Sequence, residues 1–205
     1  MEASQVRDAV ERWEVTESQR RFRGRVIGLR TDLVRMPAGD VAAREVVEHP
    51  GSVAVLALDE EDRVLLIRQY RHPAGHQLWE APAGLRDVDG EELRDTAERE
   101  LLEEAGYRAK EWHTLVDAFT SPGMCDERIR IFLARGVVEV PEEQRDFQGI
   151  HEETHLPLAW VKLDEAAAKV LAGEIHNPTA VMGILAAYVV RAAGYGDLRS
   201  ADAPE

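Results

Sequence analysis

The sequence predicts an α/β (α+β) fold, and three observations carry that reading. Two apolar runs of strand length stand at its centre, a long acidic and apolar segment with helical spacing follows them, and a stretch of alternating character precedes them. SVAVLAL, from Ser52 to Leu58, is continuous rather than alternating, as expected of a strand covered on both faces. Val64 to Tyr70 reads as its neighbour across the polar Asp59 to Arg63 turn.

In chain order, Phe22 to Val34 alternates polar and apolar residues, Pro37-Ala38-Gly39-Asp40 makes a turn, and Val41 to Val47 resumes the extended pattern. These belong to a small antiparallel unit, residues 1–50, joined at His49-Pro50-Gly51 to a main domain of residues 51–205. Such a strand unit is marginal alone, so it must pack on the main domain or on a second subunit. Leu78 to Ala81 extends the sheet before a loop at Pro82-Ala83-Gly84, and a helix occupies Glu92 to Ala105. Further strands are expected near Trp112 to Phe119, Ile129 to Ala134 and Leu158 to Leu163. Asp164 reads as the cap of a helix ending at Leu171, Thr179 to Ala193 supplies another, and the tail after Gly194 reads as loosely ordered.

Composition narrows the partners. The formal net charge of -14 disfavours long polyanions and acidic membranes, so neither nucleic acid nor a membrane surface is expected. Cys125 is the single cysteine, which excludes an intramolecular disulfide and fits a reducing cytoplasm. MEASQVRDAVERW lacks the basic start and apolar core of a secretion signal, and no apolar run reaches membrane-spanning length.

The chemistry is written most plainly between Gly84 and Tyr107, GLRDVDGEELRDTAERELLEEAGY. Glu100, Glu103 and Glu104 stand at i, i+3 and i+4, within an arc of roughly 100° on a helix. Three anions on one edge repel one another, and a hard divalent cation with oxygen ligands is the natural countercharge. A solvated acidic helix face is the plainer alternative. The flanking glycines, Gly84 before the helix and Gly106 after it, suit turning points and favour the metal reading.

Glu91, Arg99, Glu100, Leu101, Glu103, Glu104 and Gly106 resemble the Nudix box, the signature of hydrolases that cleave a nucleoside diphosphate linked to another moiety. Two departures stand out: six residues rather than five separate Gly84 from Glu91, and Tyr107 replaces the final aliphatic. The resemblance implies an α/β/α sandwich with a mixed sheet. It also implies Mg²⁺, with Mn²⁺ as the alternative, held by Glu100, Glu103, Glu104 and the backbone carbonyl of Ala83. Arg99 would then keep these glutamates in position by charge pairing.

RQYRHPAGHQLWEAPAG, from Arg68 to Gly84, and Ser121-Pro122-Gly123 followed by Glu127 are similar to segments of the ADP-ribose pyrophosphatase branch of that family. Pro122 lies sixteen residues beyond Gly106, near the position of that branch's diagnostic proline. By this resemblance Arg71 holds a substrate phosphate, Glu80 contacts ribose or supports the site from behind, and Glu127 accepts hydrogen bonds from ribose hydroxyls. A surface ion pair for Arg71 and a structural salt bridge for Glu80 are the alternatives.

His151-Glu152-Glu153-Thr154-His155 spells HExxH, but Gly149 before it and Pro157 after it argue against the helix a zinc site requires. The resemblance makes it instead an acidic loop that delivers a catalytic carboxylate, Glu153 in preference to Glu152. The implied activity is metal-assisted hydrolysis of ADP-ribose to AMP and ribose 5-phosphate, by a homodimer whose N-terminal strand unit is exchanged between subunits. Another nucleotide sugar or dinucleotide as substrate is the alternative; a non-catalytic ADP-ribose sensor is a second, disfavoured because the acids are retained.

Overall fold

The structure, a computed structural model, describes residues 6–145 and 156–205. The chain divides into two compact units, Met1–His49 with Ser121–Asp126, and Pro50–Thr120 with Glu127–Glu205.

The first unit is an antiparallel sheet of β1 (Val15–Arg23), β2 (Gly28–Arg35) and β3 (Val41–Glu48), in that order. The single strand expected from Phe22 to Val34 is instead a hairpin. Gly24 N–H donates to the Ile27 carbonyl at 2.8 Å, so the chain reverses between β1 and β2. The segment Ser121–Asp126 belongs to this unit through a parallel bridge between Val47 and Cys125 and a Val47 N–H bond to the Met124 carbonyl at 2.8 Å. Among the described residues no apolar side chain of this unit is buried.

In the second unit the order is β4 (Ser52–Ala57), β5 (Arg63–Arg71), β6 (His76–Glu80), β7 (Ala83–Leu85), α1 (Leu93–Ala105), β8 (Tyr107–Arg108), β9 (Glu111–Phe119) and β10 (Arg128–Arg135). There follow β11 (Val138–Glu139), β12 (Leu158–Lys162), α2 (Leu163–Leu171), α3 (Pro178–Ala192) and β13 (Arg199–Ser200). The main sheet runs β13-β9-β10-β4-β7 and is mixed, since β10 and β4 are parallel and the other pairs antiparallel. A second sheet, β12-β5-β6, is antiparallel.

Strand alternation sorts the core into two layers. Val53, Val55 and Ala57 join Phe132 and Ala134 under α1, through Ala97, Leu101 and Ala105. Ala54, Leu56, Ile129, Ile131 and Leu133 face the other way, toward Leu163 and Ala166 of α2 and Ala180, Ile184 and Ala187 of α3. Helices therefore cover both faces, the α/β/α sandwich that the sequence implies, and the continuous apolar run of β4 is explained because neither of its faces meets water.

Two expectations are corrected. Asp164 does not cap α2: the helix opens at Leu163 after Lys162, and Asp164 in the first turn accepts hydrogen bonds from Arg191. The tail after Gly194 is not loose. Arg199 and Ser200 pair with Thr114 and His113 of β9, and the Arg130 guanidinium donates to the carbonyls of Ala203 at 2.6 Å and Pro204 at 3.3 Å.

Candidate active site

Helix α1 positions most of the candidate residues. Thr96, Ala97, Leu101 and Ala105 are buried, and the 97-101-105 spacing repeats one turn apart, which presses one stripe onto the sheet. That packing leaves Arg99, Glu100, Glu103 and Glu104 half-buried along its flank. Gly106 ends the helix with φ 74°, its N–H donating to the carbonyls of Leu101 and Leu102.

Arg99 organises the acids. Its Nε and Nη2 each donate to Glu91 at 3.1 Å, while Nη1 donates to Glu100 at 2.7 Å and to Glu103 at 3.3 Å. Thr96 Oγ1 adds a bond to Glu91 at 2.9 Å. The Arg99 hydrogen bond is the main reason the Glu91 carboxyl sits below its ordinary range, against the opposing effect of burial. The same partner raises the Arg99 guanidinium well above its ordinary value.

Glu104 is tied to the loop before the helix: its Oε2 accepts the Ala83 N–H at 2.8 Å. Gly84 makes room for a second acid of the helix, because a Cβ there would collide with the Glu100 carboxylate. Arg99 with Glu91, Glu100 and Glu103, and Ala83 with Glu104, thus form two bonded sets on α1 and the loop before it. Among the described residues no three His, Cys, Asp or Glu side chains stand in a ready coordination array. The chemistry of the donors nonetheless fits a hard divalent cation: they are all oxygen, and three carboxylates around the Arg99 guanidinium, with Glu104 beside the Ala83 N–H, leave the flank negative.

Arg71 and Glu80 come together across β5 and β6. Arg71 Nη2 donates to Glu80 at 2.6 Å and Nε reaches both carboxylate oxygens at 3.0 and 3.1 Å. Glu80 is 2% exposed and Arg71 42%, so the acid lies beneath the base and presents it outward. The Glu127 carboxylate accepts the Ser52 hydroxyl at 2.8 Å and the Thr120 hydroxyl at 2.6 Å. Ser52 lies two residues from Ala54, the β4 partner of Ala83, on the same strand face. Two residues of strand span about 7 Å, so β4 sets the spacing between the Ala83–Glu104 group and Glu127.

Glu152, Glu153, His151 and His155 lie outside the described residues. Their flanks are inside them. Arg145 Nε donates to the Val140 carbonyl at 2.7 Å, and its guanidinium fills the place a side chain on Gly106 would take. Ser52, Thr120 and Arg145 carry no sequence signal as site residues, because each acquires its partner only through folding; Glu91 was visible within the box, but not its bond to Thr96.

An acidic flank organised by one arginine, on one helix of an α/β/α sandwich, points to one class. The chain belongs to the Nudix family, whose NUDIX domain matches residues 48–180. It is 45% identical over 178 residues to ADP-ribose pyrophosphatase of Mycobacterium tuberculosis (strain ATCC 25618 / H37Rv), covering 87% of this chain and 84% of that protein. It is 36% identical over 163 residues to methanol dehydrogenase activator of Bacillus methanolicus, covering 80% of this chain and 85% of that one. Among solved structures, an ADP compounds hydrolase shares the fold with a TM-score of 0.74 at 19% identity, over 92% of this chain and 99% of that one.

Proposed function

We propose that this protein hydrolyses the pyrophosphate of ADP-ribose to AMP and ribose 5-phosphate. The observation that carries the chemistry is the joining of Glu100, Glu103 and Glu104 to Arg99 and Ala83 on one flank of α1. Similarity to the mycobacterial ADP-ribose pyrophosphatase supports the substrate.

In this reading Glu100, Glu103, Glu104 and the Ala83 carbonyl hold Mg²⁺, or Mn²⁺ in its place. When bound, the ion neutralises diphosphate charge and lowers the pKa of the attacking water. Arg99 aligns the glutamates. Arg71, steadied by Glu80, donates to a phosphate oxygen; a guanidinium fork suits that task and keeps its charge. Glu127, its carboxylate oriented by the Ser52 and Thr120 hydroxyls, accepts hydrogen bonds from ribose hydroxyls. Glu153, with Glu152 as the alternative, takes the proton of the attacking water. The water oxygen bonds to one phosphorus, and the bridging oxygen leaves with the other.

The domain reading, 1–50 for dimerisation and 51–205 for hydrolysis, is part of the same proposal, with substrate bound between two subunits. Supporting it, the N-terminal sheet buries no apolar side chain of its own among the described residues, while Val15 and Phe22 are about half exposed. The lone cysteine favours a reducing compartment, and we assign the protein to the cytoplasm.

The test is AMP release from ADP-ribose with magnesium. Glu104→Gln is expected to lower turnover by orders of magnitude with an unchanged melting temperature; near-wild-type turnover at saturating magnesium overturns the assignment. Glu153→Gln is expected to slow turnover while leaving the magnesium dependence in place. A loss confined to Glu152→Gln moves the base by one residue.

A further inference from the structure

Arginines also gather away from the acidic flank. Arg86 follows β7 and Arg128 opens β10, and both reach the side-chain carboxylate of Glu205. Arg86 Nη1 lies 3.2 and 3.3 Å from its two oxygens, and Arg128 Nε 3.6 Å from one of them. Two residues along β10, Arg130 is 3% exposed and spends its guanidinium on Asp117 and on the carbonyls of Ala203 and Pro204. Arg199 binds the same Asp117 at 2.7 Å. Four guanidiniums therefore share two carboxylates, in a chain whose formal net charge is -14.

The two outer arginines are fixed from behind. Arg86 N–H donates to the Gly51 carbonyl at 3.1 Å, and the Arg128 guanidinium lies 5.9 Å from the centre of the Phe119 ring. The carboxylate they share is held less firmly. Charge-assisted bonds of this kind run about 2.7–2.9 Å, and every contact of Glu205 with Arg86 or Arg128 is longer. Beside Arg86 and Glu205 opens a cavity of about 410 Å³, lined also by Arg94 and Arg130. Its other acids are Glu91, engaged by Arg99 and Thr96, Glu92, and Asp202, which faces Arg94 at 3.7 Å.

Two guanidiniums around one doubly charged acceptor make a better match than two around a single carboxylate, because a phosphate offers more charge and more acceptor oxygens. We propose that Arg86 and Arg128 form a binding site for a phosphate group, and that the Glu205 side chain is its built-in competitor. The site goes beyond the hydrolysis proposed above. None of its residues is assigned a part in turnover, so its test does not depend on that reading.

Metal-free protein is titrated with inorganic phosphate and, separately, with ribose 5-phosphate, by calorimetry at fixed ionic strength. Glu205→Gln, and Glu205→Ala as a second variant, are expected to bind at least one titrant about tenfold more tightly than the wild type. The titrant that gains identifies free phosphate or a phosphate ester as the natural ligand. Adding Arg86→Gln or Arg128→Gln to either variant is expected to abolish the gain, with ADP-ribose turnover unchanged throughout. Equal affinities in wild type and both Glu205 variants overturn the proposal. So does a gain that survives the loss of Arg86 and Arg128, which marks an adventitious ion only. Melting temperatures confirm that each variant is folded.

Discussion

Arg99 touches three carboxylates at once, and its strongest hold is on the one farthest along the chain, Glu91. That pairing makes a pH signature. Glu91's carboxyl is held below its ordinary value of 4.5, chiefly by the Arg99 hydrogen bond. A group whose folded pKa is depressed contributes stability above its unfolded pKa and loses it as pH falls through the folded value. Glu91→Gln is therefore expected to destabilise the protein near neutrality, with the gap from wild type narrowing as pH drops below about 4.5. Denaturant unfolding at a series of pH values measures it, and a gap that widens toward acid contradicts the assignment. The acids themselves were legible in the sequence because a helix turns their spacing into a shared edge. The hydroxyls that hold Glu127 were not, since Ser52 precedes it by 75 residues and no local pattern announces the pairing.

At the scale of elements, α1 ends where it does because of Gly106. Its φ of 74° is one that other residues enter at a cost of roughly 1–2 kcal/mol, and the Arg145 guanidinium occupies the space a Cβ would need. Gly106→Ala is expected to lower stability by about that amount or more, read as a lower urea midpoint with an unchanged slope. An unchanged midpoint would show that Arg145 does not seal the helix end. Long elements with a clear period were readable from sequence: α1, α3 and the central strands all follow their apolar spacing. Short or exposed ones were not. β13 has two residues, too few for any period, and its pairing with β9 is completed by Arg130 from another strand. β1 is exposed along its whole length, so its alternation has no buried face to reveal the turn at Gly24.

For the whole molecule, the contrast between the units matters most. The second carries two apolar layers, whereas the first carries none among the described residues. A sheet with no buried apolar side chain needs a surface to cover it. Sedimentation equilibrium at micromolar concentration is expected to give a dimer, and removal of residues 1–50 is expected to yield a monomer. A monomer with residues 1–50 present removes the exchange proposal while leaving the reading of the acidic flank untouched. Among the described residues, no helix is long and apolar enough to cross a membrane.

β4 has a particular place in this plan among the described strands. Its odd and even positions separate the two interiors, Ser52 holds Glu127, and Ala54 meets Ala83. A one-residue slip would send each side chain to the wrong layer. Glu127 and the loop that meets Glu104 are thus gauged from a common ruler, and a shift of β4 reaches both.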